Sequence, residues 1–482
     1  MEGGLGGRES GAGSPRRPPP VSLAQVKVKR RGDDAKFLAT VLAVGTECDI
    51  ALLAVEGAAF WDGMAPLEFG PLPRLQDTVA VVGFPVGGSG LAVVAGVVSR
   101  IEVTNYVHGG CELLGVQVGR RGRGAARGSG GGPFSARADP AAPPPPPQTN
   151  ASINSGNSGG PAVDRSGRCI GIAFQSMAGS DVENTGYIVP PPIIAHFLDD
   201  VARHGAYTGF PVLGIKWQRL ESAPLRASLG MAAGAKGVLV RSVAPVAAAA
   251  AYLKPDDVIT HFDGVEIAAD GTVPFRRGER VAFSHLISLK FSGETATLRL
   301  LRAGEPMTVD VTLSRPEPLV PLHLAGDDPQ YLVVAGLVFT PASEPYLQSE
   351  YGPDYVSDSP VKLLDAMLHG VKAEAGEQVV VLAQVLACDA TLGYDDLFNV
   401  RLRTFNGARV RNLAHLAELV DRAAESGAPF FRFDLDYDEV VVLDAGAAVG
   451  ATPDILAQHS IPADASPGLR AGGREGVHPG DT

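Results

Sequence analysis

The 482-residue sequence lacks any run of about 18 apolar residues, roughly the length that a membrane-spanning helix needs. Residues 1–20 hold no apolar segment that could serve as a signal peptide. Positive charge is also in deficit, because 41 Lys and Arg stand against 53 Asp and Glu and the net charge is −12. We therefore expect a soluble intracellular protein that binds neither nucleic acid nor a membrane.

Cysteine is rare, and the four residues show no spacing typical of metal ligands: Cys48, Cys111, Cys169 and Cys388. We interpret them as reduced, mostly buried thiols, because disulfides are uncommon in intracellular proteins. Nothing else in the sequence has the pattern of a cofactor site. The sequence therefore predicts no metal and no cofactor.

Glycine and proline are abundant instead, with 59 and 38 residues, and we expect the segments where they concentrate to be disordered. These segments are the N-terminus 1–22 and an insertion at 118–148, and a Gly-rich tail at 461–482 is expected to behave likewise. The insertion holds five Arg, one acidic residue and five consecutive Pro. RNA binding by such a tract is the remote alternative, because no cluster of aromatic side chains accompanies the arginines. Translated intron sequence is another interpretation of the same segment.

Short apolar segments separated by Gly, Pro and Asp turns fill the rest of the N-terminal half, which is typical of a β-barrel or sandwich. The predicted strands lie at 24–44 (a hairpin), 48–56, 78–86, 91–103 and 168–177. Residues 185–205 predict a strand and then a helix, so a domain boundary is expected near 205–212. The basic run at 27–31 is interpreted as the solvated face of the hairpin, with a nuclear-import signal as the alternative.

A weak internal repeat marks the C-terminal half. The segments 258–267 and 400–410 each show a strand, a Phe, a D-G or N-G turn and a second short strand. Each lies near a segment with helical spacing, at 282–293 and 412–427. Two similar α+β modules, at 206–316 and 320–460, are the natural prediction.

The segment "INSGNSGGPAVD" places Ser158 in a G-x-S-x-G motif. In an α/β-hydrolase this serine would stand between a strand and a helix, but a predicted hairpin follows Pro161. A tight loop between two strands of a barrel fits better, and there the N–H groups of Gly156 and Ser158 could form an oxyanion hole around Asn157. A Gly/Ser surface turn is the alternative for the bare motif.

Several segments together resemble the Deg/HtrA (protease Do-like) serine endopeptidases with PDZ domains: "CDIALL", "VVGFPVGG", "GVVSRIE", "INSGNSGGPAVD" and "GIAF". The stretches "VENTGYIVP", "YTGFPVLGI", "GTVPFRRGER" and "LDYDEVVVLD" resemble the plant subgroup with a divergent second PDZ module, the ninth of the plant series. The resemblance covers about 24–117 and 149–460. It implies a mostly β fold, with a chymotrypsin-like double barrel at 23–205 followed by two PDZ-like domains.

By this resemblance Ser158 is the nucleophile and Asp49, in "CDIALL", orients the catalytic histidine. Asn157 fits as well, because a neutral residue there needs no freed N-terminus to pair with it. The resemblance also implies ATP-independent cleavage of unfolded or C-terminally tagged proteins, assembly into a homo-oligomer, and location in the nucleus, with the chloroplast less favoured.

The histidine is the exception to the pattern. In this family the base precedes the aspartate, yet the first of the ten histidines is His108. Neither His108 nor His196 has a plausible route to Ser158. The first barrel is therefore expected to be incomplete and to lack its base, so this polypeptide should be weakly active or inactive.

The PDZ resemblance implies a peptide-binding strand and loop at 208–217, with Leu213, Gly214 and Ile215 at the carboxylate site. Pro211 removes one backbone donor just upstream. His285, on the expected groove helix, could set peptide preference, and a solvated helix histidine is the alternative. Two functions remain open: a serine endopeptidase, or a non-catalytic PDZ adaptor that co-assembles with intact subunits.

Overall fold

The structure is a computed structural model that describes residues 26–84, 90–106, 111–119, 157–179, 182–324 and 326–470. The chain divides into two compact units, residues 1–210 and 211–482. The predicted N-terminal segment 1–22 and the insertion 118–148, apart from Val118 and Gly119, lie outside the described residues. The finer domain limits remain predictions.

The first unit is built mainly from strands. Their bounds, with those of two helices, are β1 Val26–Lys29, β2 Lys36–Gly45, β3 Ile50–Val55, α1 Ala58–Trp61, β4 Thr78–Gly83, β5 Ala92–Asn105, β6 Glu112–Gly119, β7 Pro161–Val163, β8 Cys169–Gly179, β9 Val182–Val189 and α2 Pro191–His204.

Six of these strands close into a barrel in the order β4-β5-β6-β9-β8-β7. Strand β4, "TVAVVG", alternates side chains between the two faces, so Val79 and Val81 are buried inside. They pack with Val98, Val116 and Ile188 in one apolar core. The barrel is therefore held by inward-facing aliphatic side chains from most of its strands.

Strands β1, β2 and β3 form a separate antiparallel sheet, which stays open and three-stranded within the described residues. Its inward side chains are small, since Ala39 and Ala43 are the buried residues of β2, whereas Leu38 and Val44 are exposed. Together with the closed barrel this confirms the predicted mostly β class, and the first sheet is open within the described residues.

Helix α2 covers the turn between β2 and β3. Two prolines stand at its first turn, and Gly205 ends it in the left-handed conformation, both as the sequence predicts. A Cβ added to Gly45 would lie 2.8 Å from the Phe197 ring and 2.7 Å from the Cys48 sulfur. The absence of a side chain at Gly45 therefore lets the helix pack directly on this turn.

The second unit contains two α+β modules. In the first module the elements are β10 Ile215–Arg219, α3 Ala223–Ser228, β11 Val238–Val243, β12 Val258–Phe262, β13 Val265–Glu266, β14 Thr272–Arg276, β15 Glu279–Ala282, α4 Ser284–Ser288, β16 Thr295–Arg302 and β17 Glu305–Thr312. In the second they are β18 Leu332–Val334, β19 Leu337–Pro341, α5 Glu344–Tyr351, α6 Tyr355–Asp358, α7 Val361–His369, β20 Val380–Val385, β21 Val400–Phe405, β22 Ala408–Arg409, α8 Leu413–Glu425, β23 Phe430–Leu435, β24 Val440–Asp444 and α9 Ala445–Gln458.

The predicted repeat is present in both modules. Strands β12 and β13 turn at Asp263 and Gly264, and β21 and β22 turn at Asn406 and Gly407; all four turn residues have positive φ. Such two-residue turns with positive φ match the twist of the strands that they join. The phenylalanine before each turn is buried in the core of its module.

The helix predicted over 282–293 is wrong in extent. The α4 helix covers only Ser284–Ser288, because residues up to Ala282 pair with β14 in a two-stranded sheet. The N–H of Phe283 then donates to the carbonyl of Gly271, which ties the start of α4 to the start of that hairpin. The second expected helix, at 412–427, is confirmed as α8.

The expectation that the chain is disordered from residue 461 is also wrong for 461–470. Ala465 forms an antiparallel bridge with Leu332, and the N–H of Val333 donates to the carbonyl of Asp464. Leu469 is buried in the core of the second module. The Arg470 guanidinium pairs with Asp421 and Asp464. This segment therefore covers the outer edge of β18.

We predict that Phe433→Ala destabilises the second module by about 3–5 kcal/mol, because the ring is fully buried and lies 5.2 Å from Phe339 and 5.0 Å from Phe405. The matched control is Phe430→Ala on the same strand, where the side chain is 56% exposed. Hydrogen exchange of peptides from β21–β24, read by mass spectrometry, gives the free energy of opening. Equal losses in the two variants would contradict this packing.

Candidate active site and peptide groove

Ser158 lies in a tight loop that leads into β7, and its side chain is exposed. Its Oγ donates a long hydrogen bond, 3.4 Å, to the carbonyl oxygen of Phe174. No base contacts the hydroxyl within the described residues. The serine is thus presented as the sequence predicts, on a loop between barrel strands and not on a strand-to-helix elbow.

The backbone around Ser158 is held by the neighbouring strands. The N–H of Gly160 donates to the carbonyl of Asn157 at 3.0 Å, and Ala173 exchanges hydrogen bonds with the loop at Gly159 and Gly160. A Cβ on Gly160 would stand 1.9 Å from the carbonyl oxygen of Val82, so only glycine fits this contact. The loop is therefore fixed against strand β4.

The N–H of Ser158 has no hydrogen-bond partner in the part of the chain that the structure describes. It is one of the two donors expected for an oxyanion hole. The other expected donor, Gly156, lies outside the described residues. The roles of Gly156, Asn157 and Ser158 in such a site remain predictions.

Asn157 is almost completely buried, with 1% of its surface exposed. A Cβ on Gly83 would lie 2.8 Å from its Cα and 2.9 Å from its Oδ1, so the amide packs directly on the end of β4. Within the described residues, Oδ1 accepts no hydrogen bond. A neutral side chain suits this position, because an ionised carboxylate there would be buried without a partner.

Asp49 ends the short turn between β2 and β3 and is exposed, with φ 56° and ψ 42°. Burial raises the pKa of the Tyr106 phenol well above its usual value, and the nearby charge of Asp49 acts in the same direction. Tyr106 in turn stacks on Phe174 at 4.3 Å, the residue whose carbonyl accepts from Ser158. Tyr106 and Phe174 therefore connect the surroundings of Asp49 with those of Ser158, and the role of Asp49 remains a prediction.

His108, one alternative base, lies outside the described residues. His196 lies on α2, is largely buried, and stacks on Phe210 with ring centroids 4.3 Å apart. His204, on the same helix, bonds the buried Asp200 carboxylate through Nδ1 at 2.8 Å. Both described histidines of the first unit thus serve packing or capping, and neither contacts Ser158.

Sequence reasoning missed a polar cluster behind Asp49. Burial raises the pKa of Cys48 to about 12, and the charge of Glu47 adds to this shift, whereas the nearby Tyr207 hydroxyl opposes it. The thiol donates to the carbonyl of Gly45 at 3.4 Å. Burial also raises the pKa of Tyr207 far above its usual value. The Cys48 thiol is therefore kept protonated and inert, and no spacing in the sequence links it to Tyr207.

The loop before β10 holds the residues predicted for a carboxylate site, Leu213, Gly214 and Ile215, and this role remains a prediction. Val212 is paired with Ser314, but the N–H groups of Leu213 and Gly214 have no partner within the described residues. Gly214 has φ 69°, and a Cβ there would lie 2.4 Å from the Cβ of Ala247. Ile215 then opens β10, which is an edge strand of the described sheet.

His285 lies in α4 and is only 7% exposed, so the solvated-histidine alternative is wrong. Burial lowers the pKa of His285, and its Nδ1 has no hydrogen-bond partner among the described residues. The ring meets Phe275 edge-on at 5.2 Å. Across from it, Trp217 of β10 contacts Phe283 at 5.2 Å, so β10 and the start of α4 lie side by side.

No group of His, Cys, Asp and Glu side chains that could hold a metal ion occurs in the described part of the chain. Within the same residues, no helix combines the length and apolar character needed to cross a membrane. The three buried cysteines and the half-buried Cys388 are all free thiols.

Comparison with known families identifies three domains. The sequence profile of a trypsin-like peptidase domain matches residues 13–172, and PDZ-domain profiles match residues 211–313 and 320–468. The two α+β modules are therefore PDZ domains, hereafter PDZ1 and PDZ2. This confirms the predicted order of a trypsin-like domain followed by two PDZ domains.

Similar proteins occur in Arabidopsis thaliana. "Protease Do-like 2, chloroplastic" is 44% identical over 445 residues, which cover 92% of this chain and 67% of that protein. "Putative protease Do-like 3, mitochondrial" is 36% identical over 450 residues, covering 93% and 72%. These names give no support to a nuclear location, and assignment to the ninth member of the plant series also stays a prediction.

Two solved structures are more distant. The HtrA-type protease AlgW with a decapeptide is 23% identical, with a TM-score of 0.43 over 61% of this chain and 76% of that chain. The serine endoprotease from Yersinia pestis is 19% identical, with a TM-score of 0.38 over 61% and 80%.

We predict that Asn157→Asp destabilises the first unit by about 2–3 kcal/mol at pH 7.5, because the introduced carboxyl is buried beside Gly83 without a donor. Burial raises the pKa of that carboxyl in the folded state, so the penalty is absent below about pH 4 and grows as the pH rises. Calorimetric melting at pH 4.5 and 7.5, each relative to wild type, measures it.

The control is Asn105→Asp, an exposed position at the end of β5 in the same unit. It should cost little at either pH. A loss for Asn157→Asp that does not change with pH would mean that the introduced carboxyl is solvated or paired, contrary to the burial of this site.

Proposed function

Because this chain belongs to the Deg/HtrA (protease Do-like) family of serine endopeptidases, we propose that its site acts on unfolded or C-terminally tagged proteins without ATP. Ser158 is the nucleophile, Asp49 orients a base, and the N–H groups of Gly156 and Ser158 stabilise the oxyanion. The observation that carries this proposal is the closed barrel, whose loop presents an exposed Ser158 hydroxyl beside an N–H that has no partner within the described residues.

The 482-residue polypeptide by itself is impaired in this reaction. Attack on a carbonyl needs a base to take the proton from Ser158 Oγ, and no histidine precedes Asp49 in the sequence. The hydroxyl instead donates a hydrogen bond to the carbonyl of Phe174, and a peptide carbonyl is too weak a base to take up the proton. Loss of the base in a serine triad lowers kcat by a factor on the order of 10⁶, which leaves only binding and oxyanion stabilisation.

The second candidate is a non-catalytic adaptor that binds C-terminal peptides or co-assembles with intact subunits. The edge strand β10 favours this function, together with the N–H groups of Leu213 and Gly214, which have no partner within the described residues. Neither feature needs a catalytic base. Assembly into a homo-oligomer through the protease domains belongs to both proposals, and sedimentation velocity of the purified chain would test it.

We predict that the 482-residue polypeptide hydrolyses unfolded casein no faster than its Ser158→Ala variant. The reason is the missing base, without which the Ser158 hydroxyl is a weak nucleophile. Release of fluorescence from labelled casein measures the rate, and labelling by a fluorophosphonate probe reports the nucleophile directly. A rate well above that of the variant, or rapid labelling of Ser158, would show that another group supplies the base.

We also predict that the chain binds peptides through a free C-terminal carboxylate at Leu213–Ile215. Amidation of the peptide removes charge-assisted hydrogen bonds worth about 1.5–3 kcal/mol, so affinity should fall about tenfold or more. Anisotropy titrations of one labelled peptide in both forms measure the difference. Affinity of the free acid should be micromolar or weaker, because one added strand buries little surface. Equal binding of both forms would exclude this carboxylate site.

A further inference from the structure

We propose that strand β10 and the adjacent β14–β15 hairpin select C-terminal peptides that carry an acidic side chain four residues before the terminal residue (position −4). Arg219 is the residue that reads this charge, and Arg277 and Arg280 of the hairpin support it. The inference rests on the proposed peptide capture at Leu213–Ile215 and adds to it a specificity that depends on side-chain charge.

Strand geometry places position −4. A peptide that adds to the edge of β10 runs antiparallel to it, with its carboxylate at Leu213 and Gly214 and its terminal residue beside Ile215. Each step back along the peptide is matched by about 3.4 Å along β10. Position −2 then lies beside Trp217, and position −4 beside Arg219.

Side-chain alternation then decides which face the peptide residue uses. Ile215, Trp217 and Arg219 point to one face of β10, since side chains alternate along a strand. The irregularity in the β10–β11 pairing adds its extra residue to β11, so the alternation along β10 is unbroken. Trp217 contacts Phe283 at the start of α4, so this is the face of the groove.

The hairpin is held beside the end of β10 by backbone and ring contacts. The N–H of Leu220 donates to the carbonyl of Ala269 at 2.8 Å, and the Trp217 ring lies 2.4 Å from where a Cβ on Gly271 would stand. The Arg280 guanidinium bonds the side chain and carbonyl of Thr272, directly after Gly271. The cationic hairpin therefore starts where β10 ends.

Two of these guanidinium groups are available to a ligand. Arg219 and Arg277 are exposed and have no ion pair within the described residues. Arg276 is paired with Glu279. Hydrogen bonds from Thr272 and the charge of Arg280 together lower the pKa of Asp270. Two exposed acids also lie nearby, Glu221 and Glu266, and Glu266 is paired with Lys236.

The balance of charge in PDZ1 supports the same conclusion. Residues 211–313 hold twelve Lys and Arg against ten Asp and Glu, although the whole chain carries a net charge of −12. PDZ1 therefore carries a small excess of positive charge within an acidic protein. An acidic peptide side chain is the electrostatic complement of the exposed Arg219 and Arg277.

The test is an anisotropy titration of the full chain at low salt with one labelled peptide whose position −4 is Asp, Asn or Lys. Exposed ion pairs contribute little, so we expect Asp to bind about two- to fivefold more tightly than Asn, and Lys more weakly than Asn. The same changes at position −3, which faces away from Arg219, should have a smaller effect. Salt should reduce the preference.

Arg219→Glu should reverse the order, so that Lys at position −4 binds more tightly than Asp; a misfolded domain cannot produce such a reversal. Arg299→Ala is the matched control, because Arg299 is exposed on β16, three strands away from β10 in the same sheet, and should keep the Asp preference.

The two proposals fail in different ways. If the free acid binds better than the amide but charge at position −4 has no effect, the inference is overturned and peptide capture stands. If the free acid and the amide bind equally, peptide capture fails and the inference fails with it. A preference for Asp that survives Arg219→Glu unchanged also overturns the assignment to Arg219.

Discussion

The contact between Gly160 and the carbonyl of Val82 is the constraint on which the candidate catalytic loop depends. Because residue 160 is a glycine and carries no Cβ, the loop after Ser158 can lie directly on β4 and enter β7 within three residues. Asn157 is buried next to this contact, against Gly83 at the end of β4. The exposure of the Ser158 hydroxyl follows from this packing and needs no bound substrate.

The surroundings of Asp49 are built differently from those of Ser158. The serine belongs to a closed barrel with an aliphatic core, whereas the aspartate ends a turn in an open sheet whose inward residues are alanines. Tyr106 and Phe174 join the two regions by ring stacking, so the link between them is apolar. Such a link can hold a distance but cannot move a proton, which is the step that a histidine would perform.

Local patterns predicted most of the fold because they depend on neighbouring residues. The D-G and N-G turns, the alternation in β4 and the proline start of α2 were all predictable in this way. The short α4 helix was not, since pairing of Ala282 with Thr272 overrode its helical spacing. The packed segment 461–470 also depends on distant partners, such as Asp421 for Arg470, that no local pattern shows. For the candidate site, the serine loop and the burial of Cys48 were predictable, and the burial of Asn157 was not.

The two PDZ domains differ in what their sheets leave open. In PDZ2 the residues around Ala465 already pair with β18, so the outer edge of that sheet is occupied by the chain itself. In PDZ1, strand β10 holds the position that β19 has in PDZ2, yet β10 is an edge of the described sheet. The N–H groups of Leu213 and Gly214 before it have no partner among the described residues. An unpaired strand edge beside free donors is costly unless a partner or water satisfies it. We therefore assign the proposed peptide capture to PDZ1, because the outer edge of PDZ2 is closed by its own chain.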